Sequence, residues 1–346
     1  MSKRALGLGL VGAFGIFAMS AAPAEAAAAG AKRICFSWRH FQEERWRIDE
    51  AGVKSVLEPA GYAYASADAQ ADPQKQVTDV ESLLTSGCSA LIILPQDPSA
   101  ILPVVAAAKA AGVPVVAYDG PIESPDVTFV SFDNVKVGYL MAEGLAKVKP
   151  EGNWVAINGP LEPMVHILQT GQMKVLQPLI DSGKIKIVAS QNIENWKPDL
   201  AQAAMDQILT QQNNKIDVVL SMNDGMATGA AAALAAQGLL GLPLSGQDGD
   251  VAALNRIAKG QQTVSVWKNA RELGATAART AIELAEGKPV TNVTTYKTLG
   301  GIAQPAVLLE PIAISRDNLN LVLDANWITK KALCDDVTKN PPDVCK

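Results

Sequence analysis

From residue 33 onward, short apolar runs alternate with longer stretches whose apolar positions recur every three or four residues. Runs such as Leu91–Leu94 and Val218–Ser221 lack in-out alternation, the mark of strands covered on both faces. The first half predicts strands at Arg33–Ser37, Tyr62–Ser66, Leu91–Leu94, Pro114–Tyr118 and Thr128–Ser131. Helices are predicted between them at Glu50–Ala60, Pro73–Ser86 and Ala100–Ala111, with Gly61, Gly87 and Gly112 standing as their C-terminal caps. After Asp133-Asn134 the pattern restarts. Helices 136–148, 163–182, 198–213, 225–237 and 250–259 alternate with strands Trp154–Asn158, Lys186–Ala189, Val218–Ser221, a short one ending at Gly246, and Thr263–Trp267. Helix Ala270–Glu286 and a strand around Ala306–Leu309 close the series. Repeated βα units specify doubly wound parallel sheets, and the restart predicts two of them. The expected class is α/β, with two Rossmann-like domains.

The first residues do not belong to this pattern. Lys3-Arg4, an apolar run Ala5–Met19 and Ala24-Glu25-Ala26 read as a secretory signal peptide, residues 1–26, cleaved on export to the periplasm. The G-x-G-x-x-G at Gly7–Gly12 falls inside this leader, with no strand before it, so it is not a dinucleotide loop. The 346 residues are 48% hydrophobic, enough for two cores, and the net charge of −5 argues against nucleic acid or an anionic membrane as partner. An exported chain permits disulfides. Cys334 and Cys345, close together in a polar tail, are expected to pair; Cys35 and Cys88 read equally as a bridge or as two buried apolar side chains. With no C-x-x-C and only His40 and His166, no metal site or cofactor is expected.

In doubly wound sheets, ligands bind beyond the carboxyl ends of the strands. The residues there are Trp38, Arg39, Phe41, Arg45 and Trp46; Gln96 and Asp97; Asp119; Asp133 and Asn134; Asn158 and Glu162; Asn192, Asn195 and Trp196; Asn223 and Asp224; Gln247 and Asp248; and Lys268 beside Trp267. Carboxylates accept hydrogen bonds, Arg and Lys donate, and amides do both, which suits hydroxyl groups. A flat indole suits the C–H face of a sugar ring. Taken singly, Asp119 and Asn223 read equally as turn formers or helix caps, Lys268 as a surface lysine, and Trp154 as core.

At these positions the chain resembles the sugar-binding proteins of ABC transporters, above all their D-xylose-binding branch. The resemblance is carried by Glu44-Arg45-Trp46, Ala117-Tyr118-Asp119, Ser131 to Gly138, Gly171 to Leu176, Asp181 to Lys186, Ser221-Met222-Asn223-Asp224 and Ser245-Gly246-Gln247-Asp248, and covers the chain to about residue 315. It implies a type I periplasmic binding protein. Three crossover strands, near Asp133, Trp267 and Pro311, would join an N-terminal lobe of 31–133 plus 268–310 to a C-terminal lobe of 134–267 plus 311–330, followed by an irregular tail, 331–346. It also implies that Arg45, Asp119, Asn223, Asp248 and Lys268 hydrogen-bond a sugar, with Trp46 and Trp196 packed on its faces. Glu162 joins this expected site from the divergent loop Leu161 to His166. Where the family commonly has Arg after the aspartate of its Tyr-Asp motif, this chain has Gly120. Xylose itself is therefore not carried over: another pentose, a hexose or an acyclic polyol remains open.

The expected function is ligand capture by hinge closure, by a monomer that delivers a sugar or polyol to an inner-membrane ABC permease. Presentation to a chemoreceptor would use the same pocket. A periplasmic hydrolase is disfavoured, because G-x-S-x-G, H-E-x-x-H and P-loop motifs are absent. A repressor's effector domain would carry a DNA-binding module where this chain has its leader.

Overall fold

The fold is described by a computed structural model covering residues 32–346; the expected leader, residues 1–26, lies outside the described residues. The first half alternates β1 (Arg33–Trp38), α1 (Arg45–Leu57), β2 (Ala63–Asp68), α2 (Pro73–Thr85), β3 (Ala90–Ile93), α3 (Leu102–Ala110), β4 (Val115–Tyr118) and β5 (Val127–Phe132). The second runs α4 (Asn134–Val148), β6 (Gly152–Asn158), α5 (Pro163–Asp181), β7 (Ile185–Asn192), α6 (Pro198–Gln211), β8 (Val218–Ser221), α7 (Asp224–Ala236), β9 (Ser245–Asp248), α8 (Val251–Lys259) and β10 (Val264–Trp267). Then come α9 (Ala270–Ala285), β11 (Thr294–Lys297), β12 (Ala303–Leu309), β13 (Ile312–Ile314), α10 (Asn320–Asp324) and α11 (Lys330–Leu333).

The first sheet has the order β11-β12-β5-β4-β3-β1-β2, parallel except for β11. Its two faces carry separate cores. Ile34, Phe36 and Trp38 of β1 point with Val53 and Leu57 of α1 to one side; Cys35 points with Val80, Val104 and Val105 to the other. The second sheet is β7-β6-β8 joined to β9-β10-β13 through a bridge between Val219 and Leu244. The chain passes from one sheet to the other after Phe132, after Trp267 and after Leu309. At the first and third of these, Asp133 N donates to Leu309 O at 3.0 Å, so two connecting segments lie side by side.

Glycines set how closely helices approach. A Cβ on Gly138 of α4 would lie 1.9 Å from Leu168 O, and one on Gly171 of α5 would lie 1.9 Å from Val135 O. These helices meet backbone to backbone, which no larger residue permits.

Cys35 and Cys88 are bridged, closing a 53-residue loop beneath α2; Cys334 pairs with Cys345 as expected. Four elements depart from expectation. Helix α1 begins at Arg45 rather than Glu50, because its buried face is built from Arg45, Trp46 and Asp49. Strand β11 was not expected: Thr-Thr-Tyr-Lys is polar and largely exposed, as an edge strand tolerates. Strand β13, Ile-Ala-Ile, is an apolar run too short to read as a strand. The tail, expected to be irregular from 331, contains most of α11 and is fastened down. Asn255 of α8 donates to Leu333 O and Asp335 O at 3.0 and 2.8 Å, and upstream of the tail Trp327 packs edge-on to Trp267.

Candidate functional site

Strand ends from both sheets open onto one cleft, with an empty volume of about 560 Å³, part of it open to solvent. Arg45, Trp46, Asp119, Glu162, Trp196, Asn223, Asp248 and Lys268 all line it, so the structure brings the whole expected set together. Arg39, Glu43, Gln247, Met164 and a group of prolines, Pro95, Pro98, Pro121 and Pro163, line it too.

The centre is Arg45, the first residue of α1. Its Nε lies 3.2 Å from Asp49 Oδ2, its Nη2 3.2 Å from Asp119 Oδ1, and its Nη1 3.3 Å from Asp248 Oδ1, which belongs to the second sheet. Lys268 Nζ joins Asp248 Oδ1 at 2.9 Å. A guanidinium fork can satisfy three carboxylates at once; an ammonium has no such geometry. Asp49 sits behind Arg45 with no exposed surface and accepts from the Tyr118 hydroxyl. Burial pushes its carboxyl up to about 6, against the opposing pull of Arg45. Burial also works on Asp119, but Arg45, Lys268 and Arg39 outweigh it and hold that carboxyl below its ordinary value.

Asp119 and Asp248 reach the cleft from strained backbone, with φ of 55° and 104°; Trp196 does the same at 56°. The turn at Asp248 is held from behind by Asp224 of α7. Asp224 Oδ2 accepts from the backbone N of Gly249 and Asp250 at 2.9 and 3.0 Å and from Ser265 Oγ at 2.5 Å, and its Oδ1 accepts from Gln262 Nε2 at 2.9 Å. Burial pushes this carboxyl up to about 6 as well, against the Ser265 hydrogen bond. Gly249 has φ +78°, and a Cβ there would lie 2.5 Å from Trp267 Cδ1, so the turn requires glycine. On its far side Gly249 O accepts from Trp327 Nε1 at 2.6 Å.

The two indoles are oriented by carboxylates. Trp46 Nε1 donates to Glu43 Oε2 at 2.6 Å, and Arg45 lies over the Trp46 ring at 4.4 Å. Trp196 Nε1 donates to Glu162 Oε1 at 3.1 Å. Glu43 also lies 3.2 Å from His40 Nδ1 and 3.5 Å from Arg39 Nη2. Burial would raise its carboxyl, but the His40 hydrogen bond and the Arg39 charge bring it down to about 2. Asn223 Oδ1 caps α7 by accepting from Met226 N at 2.8 Å, which leaves its Nδ2 hydrogens for the cleft.

The other strand-end residues serve the fold. Trp38 is fully buried and stacked on Phe36; Asp97 and Asp133 close the turns that start α3 and α4; Asn158 and Asn192 bind Ser190 and Gly159 O. His166 is exposed on α5, and His40 supports Glu43 without lining the cleft. Sequence reasoning placed Arg39 and Gln247 at strand ends without selecting them and missed Glu43. An Arg and Glu four residues apart in a predicted loop were the available signal, since such a pair gains meaning only if the loop turns helical.

Among the described residues no helix is long and apolar enough to cross a membrane, and no cluster of three metal-ligating side chains occurs. Residues 34–289 match the family model described as a periplasmic binding protein domain. The chain belongs to this family. Among curated relatives of this binding protein, the D-xylose-binding periplasmic protein of Haemophilus influenzae is 37% identical over 94% of this chain and 97% of its own. The protein of the same name from Escherichia coli is 39% identical over 80% and 84%. An ABC transporter solute-binding protein from Clostridium phytofermentans, solved with bound β-D-glucose, superposes with a TM-score of 0.78 at 26% identity, covering 87% of this chain and 100% of its own. The superposition shows the same α/β architecture in that solved structure.

Proposed function

We propose that this binding protein captures a neutral monosaccharide of the xylose class between its two lobes and delivers it to an inner-membrane ABC permease. The observation that carries this reading is the convergence in one cleft of Arg45, Asp119, Asp248 and Lys268, paired across the two sheets, with the indoles of Trp46 and Trp196. Charged groups fixed by one another can donate to and accept from hydroxyls without moving, while the indoles cover the ring's C–H faces. The names of the curated relatives support the sugar class. The lobes, taken as 31–133 plus 268–310 and 134–267 plus 311–330, rotate on the three connections, and closure buries the sugar. The chain acts in the periplasm after loss of residues 1–26, as a monomer and without turning its ligand over. Each carboxylate of the cleft lining is engaged by a cation or an indole N–H, which supports binding without chemistry.

The test is a thermal-shift screen of the chain from residue 27 against pentoses, hexoses and polyols, with amino acids as controls. A sugar at a hundred times its Kd should add about 2.7 kcal/mol of stability and raise the melting temperature clearly. Trp196→Ala and Asp248→Ala should each weaken that binding about tenfold or more. A response to amino acids alone would remove the sugar reading, and wild-type affinity in both variants would reject this site.

A further inference from the structure

Arg39 stands apart from the other cations of the cleft. It lies in the turn after β1, its side chain is only 11% exposed, and it faces Glu162 from the second half of the chain. Both of its contacts are at the outer limit of a hydrogen bond: Nη1 is 3.4 Å from Glu162 Oε2 and Nη2 is 3.5 Å from Glu43 Oε1. Its Nε, fully buried, has no partner. The reason is competition. Glu43 and Glu162 give their shorter bonds, 2.6 and 3.1 Å, to the indoles of Trp46 and Trp196, and Arg39 is left with the remaining oxygens. By contrast Arg45 engages three carboxylates through all its nitrogens, and Lys268 sits 2.9 Å from Asp248. A buried guanidinium with unspent donors is unfavourable until something accepts from it.

The other uncommitted donors of the lining, the amides of Asn223 and Gln247, come from the second half of the chain, and the part around Gly120 offers none. Gly120, next to Asp119, contributes no side chain, and its Cβ direction meets the ring of Pro95 at 3.2 Å. Pro95, Pro98 and Pro121 have neither side-chain donors nor backbone N–H groups. The lining as a whole carries three cations, Arg39, Arg45 and Lys268, against four carboxylates, Glu43, Asp119, Glu162 and Asp248. An acceptor with its own negative charge would be repelled.

We propose that Arg39 determines specificity, its guanidinium turning from Glu43 and Glu162 to a neutral acceptor, a hydroxyl or ring oxygen of the bound sugar. This rests on the sugar reading given above. Selection then follows from the donor itself: a sugar lacking that oxygen leaves a buried guanidinium unpaired and is rejected. A sugar acid is rejected by the surplus of carboxylates.

The experiment is titration calorimetry on wild type, Arg39→Gln and Arg39→Lys, each checked for a wild-type circular dichroism spectrum. The probes are D-xylose, D-ribose, L-arabinose, D-glucose, D-galactose, D-glucuronate and xylitol, followed by the monodeoxy forms of the tightest binder. Wild type should prefer the parent sugar to one monodeoxy form by about tenfold or more, and Arg39→Gln should collapse that one ratio to within about twofold. Arg39→Lys keeps the charge but loses the fork, and should fall between them. If Arg39→Gln weakens the parent and every deoxy form equally, the residue is structural and the inference fails while the sugar reading stands. Unchanged affinity, or D-glucuronate bound as tightly as D-glucose, overturns it in the same way. A wild-type protein silent to every carbohydrate overturns both.

Discussion

Two buried aspartates do the same task by different means. Asp49, in the first half, fixes Arg45; Asp224, in the second, fixes the turn that carries Asp248. Both have no exposed surface, and burial lifts both carboxyls to about 6. Asp49 is matched with a cation. Asp224 receives four hydrogen bonds from neutral donors, with Arg256 only contributing its field. Neutralising one member of a buried pair ordinarily strands the other charge, but Arg45 keeps Asp119 and Asp248, and this offsets the loss of Asp49. A carboxylate surrounded by oriented neutral donors has no such offset: removing Asp224 strands Asp250 N and Ser265 Oγ and leaves Gly249 N and Gln262 Nε2 only their longer second bonds, at 3.1 and 3.2 Å. The second aspartate should therefore be the more sensitive of the two.

The largest effect expected is from Asp224→Ala. Two buried donors lose their sole acceptor and two more lose their shorter bond, and urea unfolding should show a loss of about 4 kcal/mol. A loss smaller than that caused by Asp49→Asn would invert the comparison. Next is removal of the Cys35–Cys88 bridge by paired Cys→Ala substitution. Chain entropy sets an upper bound of about 4 kcal/mol on the loss for its 53-residue loop, and the bridge lies on the sheet face away from Asp49. Sugar affinity should stay unchanged; a drop of tenfold would mean that the first half is less independent of that face than the core division implies.

The smallest effect concerns pH. A carboxyl raised in the folded state favours the fold below its unfolded value and loses that contribution as pH rises through the folded one. For Asp49 and Asp224 the window runs from about pH 4 to about pH 6, so both should cost stability as pH climbs through it. Glu43, brought down to about 2, acts oppositely: its contribution is present above its unfolded value near 4.5 and is lost as pH falls toward 2. Asp49→Asn should flatten the upper slope of the urea midpoint against pH while weakening sugar binding about tenfold, because Arg45 loses a partner. An unaltered slope would show that Asp49 does not titrate there.

Much of the site was legible because sheet topology places residues after strands at one edge, where Asp119, Asn223, Asp248 and Lys268 lie; the motifs of the family resemblance then singled these out from the other strand-end residues. What escaped was polar burial. The start of α1 was hidden because its inward face is Arg45 and Asp49, so no apolar stripe marked it. Glu43 gains its place only from Arg39, His40 and Trp46 converging on it in space. Strand β11 is an exposed edge without a hydrophobic signature. The tail was read as loose because its anchors are single bonds to distant residues: Asn255 to Leu333 O, and, just before it, Trp327 to Gly249 O.

That last bond has a consequence for how the molecule comes into being. The turn presenting Asp248 is buttressed by an indole 78 positions further along the chain. The cleft is therefore complete only once the carboxyl-terminal segment has docked, however well the first sheet and α1 are already formed.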